Sequence, residues 1–109
     1  MIDLPPEPAK KPKRIRESDV EAYLVKRVEA LGGVAEKFSS PAKRSVPDRL
    51  VQWCEPNRQG WVHFVECKKP GEEPTAAQAR DHERRRAMGF TVVVVDSFEA
   101  VDNYLRGAV

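Results

Sequence analysis

The chain has 109 residues, 33% of them charged and 40% hydrophobic, with a formal net charge of +2 at pH 7. That length accommodates one domain with one modest core and excludes a second. The small net charge excludes any argument that bulk charge alone selects an anionic partner, and no apolar run is long enough to span a membrane.

The charge is unevenly placed. Residues 1–16 carry Lys10, Lys11, Lys13, Arg14 and Arg16 against Asp3 and Glu7, among Pro5, Pro6, Pro8 and Pro12. This composition buries too little apolar surface to order itself, and predicts a flexible basic leader over 1–16, ahead of a domain over 17–109. A solubilising tail and a nucleic-acid-binding arm fit it equally. The apolar segment of a secretory signal is missing, so the sequence reads as that of a cytoplasmic protein with Cys54 and Cys67 reduced. His63 and His82 do not combine with these cysteines in a zinc spacing, and no structural metal is assigned.

Ser18 followed by Glu21 is a capping-box pattern, and Val20, Leu24, Val28 and Leu31 form one apolar stripe, predicting a helix that Gly32-Gly33 ends. Val34 to Phe38 reads as a strand, and Ser39 to Pro47 as a polar, basic loop holding Lys43 and Arg44. Arg49 to Trp53 and Trp61 to Lys68 read as two strands joined by the turn-rich CEPNRQG. Thr75 to Met88 is a second helix, opened by Pro74 and stopped by Gly89. Phe90 to Val95, with four valines in a row, has the pattern of a strand buried on both faces. Ser97 to Arg106 closes the pattern as an amphipathic helix with Phe98, Val101, Tyr104 and Leu105 inward. The order is α-β-β-β-α-β-α without internal repeats, an α/β fold with a mixed sheet flanked by helices.

One feature of the two central strands asks for chemistry. Side chains on a strand alternate faces, so Glu66 and Lys68 point the same way, with Val62 and Phe64. If Trp53 pairs with Trp61 across the turn, that register sets Asp48 opposite Glu66 on one face. Two carboxylates so placed repel each other and destabilise the sheet, and a bound cation relieves the repulsion. Hard oxygen ligands suit Mg²⁺, which takes one or two protein carboxylates. Lys68 is then placed to hold an attacking water or to offset charge building on a phosphate. Taken singly, Asp48 after Pro47 is ordinary turn chemistry, and Glu66-x-Lys68 is an ordinary solvated strand face. The combination of the two across an apolar hairpin is what distinguishes them.

At these residues the sequence resembles a known family. "VPD" (46–48) followed by "VECK" (65–68) matches the PD…(D/E)xK nuclease signature. With "ESDVEAYLVKRVEALGG" (17–33), "SVPDRLV" (45–51), "FVECKKPGEEPTAAQ" (64–78) and "MGFTVVVVDS" (88–97), the chain is similar to the virus-type replication-repair nuclease domain, VRR-NUC. The resemblance covers nearly everything after the leader. It implies a restriction-endonuclease-like fold, Mg²⁺ with Mn²⁺ as substitute, and cleavage of phosphodiester bonds. Stand-alone domains of this length are typical of phages and bacteria, and some are similar to dimeric Holliday-junction resolvases.

Carried over by position, the resemblance implies metal ligation by Asp48, Glu66 and the backbone carbonyl of Cys67, with Lys68 as the catalytic lysine. Glu21 matches the family's helical glutamate in the metal site, while the local pattern alone makes it a capping-box residue; Glu17, one turn earlier, competes with it. Gln78 matches the glutamine after the signature strand, and Thr75-x-x-Gln78 is equally a capping box. Ser45 stands where many members have glycine, which alters the loop's backbone freedom and leaves the ligands alone. Lys43, Arg44, Lys69, Arg80 and Arg84 are the candidate DNA contacts, with Arg80 and Arg84 on one helix face. Trp53 and Trp61 suit a cross-strand core or interface pair better than base stacking.

The implied function is a metal-dependent, structure-selective DNA endonuclease, acting on branched or duplex DNA as a homodimer without a nucleotide cofactor or a membrane partner. The final helix and Val109 offer apolar surface for dimerisation, or for covering the sheet. A nicking or repair nuclease without junction selectivity keeps the same chemistry. A catalytically silent DNA-binding module keeps only the fold, and intact Asp48, Glu66 and Lys68 argue against it.

Overall fold

The computed structural model describes residues 14–42, 45–57 and 60–108. The leader's residues 1–13, the loop residues Lys43 and Arg44, and Val109 lie outside the described residues. The elements follow the predicted order: α1 (Glu17–Ala30), β1 (Val34–Lys37), β2 (Arg49–Asn57), β3 (Gly60–Cys67), α2 (Ala76–Ala87), β4 (Thr91–Val95) and α3 (Phe98–Ala108). The four strands form one mixed sheet in the order β1-β2-β3-β4. The first three are antiparallel neighbours, whereas β4 lies parallel to β3, a connection that needs the α2 crossover.

Strand alternation divides the molecule into two sides of that sheet. Ala35, Val51, Val65, Cys67 and Val95 point to one side, where Val20, Leu24 and Val28 of α1 and Val101, Tyr104 and Leu105 of α3 complete a buried apolar cluster. Within it, Trp53 Nε1 donates to His63 Nδ1 at 3.3 Å, and the Tyr104 hydroxyl lies 2.6 Å from the same nitrogen. Phe64 and Glu66 point to the other side, beneath α2. There the Arg85 guanidinium stacks over the Phe64 and Phe38 rings, and Phe90 meets Phe64 edge-on. No helix among the described residues is long and apolar enough to cross a membrane.

Four local expectations change. The capping box Ser18–Glu21 does not form. Helix α1 starts at Glu17, and the Asp19 carboxylate accepts from the Arg16 amide at 2.8 Å, which frees the Glu21 side chain for another use. The β2–β3 hairpin is longer than the turn-rich segment suggests, and its register shifts between Gln52 and Asn57. That irregularity uncouples the two tryptophans: Trp53 is buried beside His63, whereas Trp61 is 53% exposed. Strand β4 buries Val92 and Val95 and leaves its other residues half-buried, because it ends the sheet and lacks a second neighbour. Finally, α3 turns Val101, Tyr104 and Leu105 inward as expected, but not Phe98. That apolar stripe covers the sheet, and only Phe98, stacked on Tyr23 at 4.6 Å, remains near the surface.

Helix α1 ends where the glycine pair predicts. Gly32 has φ of +87°, a left-handed conformation that a Cβ would strain. Its amide donates to Glu29 O and that of Gly33 to Val28 O, the paired bonds of a Schellman motif. Gly33 is needed for space instead. A Cβ there would lie 2.7 Å from Trp53 Cε3 and 2.9 Å from Val28 Cγ1, and neither buried side chain has room to retreat. Gly33→Ala is therefore expected to destabilise the fold by about 1–3 kcal/mol, read as a lower urea midpoint at unchanged slope.

Candidate active site

The site begins with the hairpin register. Arg49 pairs with Val65 and Leu50 with Phe64, and one further step along the same ladder brings Asp48 to Glu66. The end of β2 is pinned there from both sides. The Asp48 carbonyl accepts from the Phe38 amide at 3.0 Å, and its Oδ2 accepts from the Cys67 amide at 2.8 Å. Pro47, fully buried, fixes the approach. The segment that reads as turn chemistry is thus anchored to two strands.

Glu66 is 1% exposed, and α2 holds its carboxylate from behind. Gln78 Nε2 lies 3.4 Å from Oε2, and His82 Nε2 lies 3.4 Å from Oε1. Burial first, then the charge of Asp48 and a hydrogen bond with it, push the Glu66 carboxyl up to about 8, against the pull of Lys68. The pair therefore carries an unmet demand for positive charge. Lys68 follows directly, almost wholly buried, with its amide donating to Val95 O at 2.9 Å.

Gln78 serves both of the roles that its position suggests. Its backbone amide donates to Thr75 Oγ1 and its Oε1 accepts from the Thr75 amide, a complete capping box, while Nε2 of the same side chain reaches Glu66. Glu21 goes elsewhere. Its Oε2 accepts from Arg49 Nε at 2.7 Å and Lys37 Nζ at 3.0 Å. Burial works to raise its pKa, and the hydrogen bonds from Lys37 and Arg49 outweigh burial and hold it below the usual value. Glu17, half-buried at the start of α1, is pushed up by burial and then by the charge of Asp48, with Lys68 opposing. Of the two helical glutamates, Glu17 is the one whose field is shared with Asp48, Lys68 and Glu66.

These residues fit a hard divalent cation held by few protein ligands. Among the described residues no three His, Cys, Asp or Glu side chains converge on a metal-sized site; the structure brings Asp48 and Glu66 together and holds Glu21 in its ion pairs. Two adjacent carboxylates are a donor set for Mg²⁺, which completes its shell with water and substrate oxygens. The nearest soft donor is excluded. The Cys67 side chain faces the core, and burial raises its thiol pKa strongly; only its backbone borders the pair.

The candidate DNA contacts divide. Lys69 is exposed beside Glu72. Arg80 and Arg84 line a cleft of about 260 Å³ on α2, with Ala77, Asp81 and Ser45, although Arg84 is held 3.1 Å from Asp81. Lys43 and Arg44 lie outside the described residues. Sequence reasoning missed His82. The signal available for it was its spacing of four from Gln78, which puts both side chains on one helix face.

No family model matches the chain. It is 53% identical over 83 residues to "Putative nuclease p44" of Acyrthosiphon pisum secondary endosymbiont phage 1, covering 76% of this chain and 85% of that protein. A solved structure described as a VRR-NUC domain superposes with a TM-score of 0.73 at 38% identity, covering 83% of this chain and 94% of the other.

Proposed function

The chain belongs to the VRR-NUC domain family, and from that premise we propose that it is a metal-dependent, structure-selective DNA endonuclease, resolving four-way junctions as a homodimer. The observation that carries the reading is the Asp48–Glu66 carboxylate pair, pinned by the Cys67 amide beside the buried Lys68. The p44 relative carries the name of a nuclease.

Asp48, Glu66 and the Cys67 carbonyl would hold Mg²⁺, with Mn²⁺ as substitute. When bound, the ion supplies Lewis acidity to a phosphoryl oxygen. Lys68 would orient the attacking water with its ammonium or offset charge growing on the phosphate. Glu17, which feels the charges of Asp48 and Lys68, would be the helical glutamate that holds a water of the metal's shell, since Glu21 is engaged by Arg49 and Lys37. Arg80 and Lys69, with Lys43 and Arg44 of the neighbouring loop, would take phosphates on either side and set register. Residues 1–16 would add sequence-independent attraction that weakens with salt.

A junction is resolved only by two cuts, and the described residues of one chain carry one such site, so a two-fold pair matches the junction's symmetry. A nicking nuclease without junction selectivity is favoured by a different observation: α3 spends its apolar stripe inside its own domain. A cleavage panel of duplex, nicked, flap, fork and four-way-junction DNA with Mg²⁺ or Mn²⁺, joined to sedimentation at micromolar concentration, separates the two. The proposal expects a dimer, preference for the four-way junction, and linear product from a cruciform plasmid. A monomer that leaves only open circles at every concentration selects the nicking reading, and a lack of cleavage on every substrate ends both.

A further inference from the structure

The described residues contain one buried polar side chain at the site that the chemistry above does not use. His82 is 2% exposed, on the α2 face toward the sheet, with Nε2 3.4 Å from Glu66 Oε1. One turn earlier on the same face, Gln78 Nε2 reaches the other carboxylate oxygen, Oε2, also at 3.4 Å. Gln78 is itself immobilised, since its amide oxygen accepts from the Thr75 amide at 2.9 Å. The two helical side chains thus take one oxygen of Glu66 each. A carboxylate serving as a metal ligand is ionised and can only accept hydrogen bonds. The imidazole nitrogen facing it must then carry a proton, which fixes the tautomer.

We propose that His82 is a positioning residue for the metal site, donating Nε2–H to Glu66 Oε1 and, with Gln78, setting the angle at which the carboxylate meets the cation. The inference rests on the metal-dependent reading of the Asp48–Glu66 pair. Its physical content is that metal ligands are oriented by a surrounding set of hydrogen bonds, whose loss weakens binding without removing a ligand. A buried histidine that merely fills space would contribute to stability alone, and two substitutions distinguish the cases. His82→Phe keeps a ring of similar volume and removes the donor. His82→Gln restores an N–H near the position of Nε2.

The test measures Mn²⁺ binding to the full chain by calorimetry, without DNA and without turnover. His82→Phe is expected to weaken binding by about 10–100-fold, with His82→Gln recovering most of it. In the unmodified protein with Mg²⁺, ¹⁵N spectra of the imidazole are expected to report protonated Nε2 and unprotonated Nδ1, a measurement that stands even if the Phe variant does not fold. Unchanged Mn²⁺ affinity in a folded His82→Phe protein, or an Nδ1–H tautomer, overturns the inference while leaving the metal reading intact. Failure of the unmodified protein to bind Mn²⁺ overturns the metal reading, and this inference with it.

Discussion

Asp48→Asn and Glu66→Gln are each expected to reduce cleavage in Mg²⁺ to background while the protein remains folded and bound to DNA. Both exchanges keep shape and remove a charge. Asparagine retains an oxygen that can accept from the Cys67 amide, as Asp48 Oδ2 does at 2.8 Å, so the end of β2 stays pinned. Glu66→Gln has a further consequence for stability. Burying an ionised carboxylate beside another is costly, and the amide removes that cost, so the metal-free variant should melt above the unmodified protein at pH 9. Lys68→Met, which preserves the buried stem of a residue only 7% exposed, should lower cleavage by about 10²–10³-fold with metal binding less affected. These outcomes are read from nicking of supercoiled plasmid, DNA anisotropy with Ca²⁺ in place of Mg²⁺, and thermal melts. Wild-type cleavage by Asp48→Asn, or full activity in EDTA, would dismiss the metal-nuclease proposal.

Metal affinity and stability should both depend on pH through Glu66, with opposite signs. Burial and Asp48 raise its carboxyl from an ordinary 4.5 to about 8. Between those values the metal-free folded protein keeps a proton that the unfolded chain has lost. The associated stability is complete below pH 4.5 and is lost as pH rises through about 8, at a limiting slope of roughly 1.4 kcal/mol per pH unit. A bound cation needs the carboxylate, so binding below pH 8 expels that proton. Apparent Mg²⁺ affinity should accordingly rise by up to about tenfold per pH unit and level off near pH 8. Thermal melts in EDTA should fall between pH 6 and pH 9, and the gain from Mg²⁺ should be larger at pH 9. Calorimetry in two buffers of different ionisation enthalpy counts the released protons. Equal Mg²⁺ affinity at pH 6 and pH 8, without proton release, would contradict this account of Glu66.

The element order, the α/β architecture and the Asp48–Glu66 register are all legible in the amino-acid sequence. The apolar stripe of α1, the Gly32-Gly33 stop, the valine run of β4 and the Thr75–Gln78 cap are local patterns, with local physical causes: side-chain period, backbone freedom, and amides that need acceptors within a few residues. The register followed from strand alternation and a hairpin, which together leave few ways to bury one face. Even the assumption behind it, that Trp53 meets Trp61, failed only past Gln52, where the shift begins, and the pairing nearer Asp48 was unaffected.

What the tertiary structure alone decided is which partner each polar or apolar group takes across elements. Glu21 could have closed a cap or joined a site. It went to Arg49 and Lys37, because α1 begins two residues earlier than a Ser18 cap implies and brings Glu21 within reach of β1 and β2. His82 was an anonymous helical residue until α2 crossed the sheet above Glu66. The α3 stripe could face a second chain or its own sheet, and only packing with Val65, Cys67 and Val95 assigned it inward. Period and propensity are properties of neighbours along the chain. Ion pairs, carboxylate supports and the choice of which apolar face is covered depend on distances between residues remote in sequence, and those exist only once the helices have settled on the sheet.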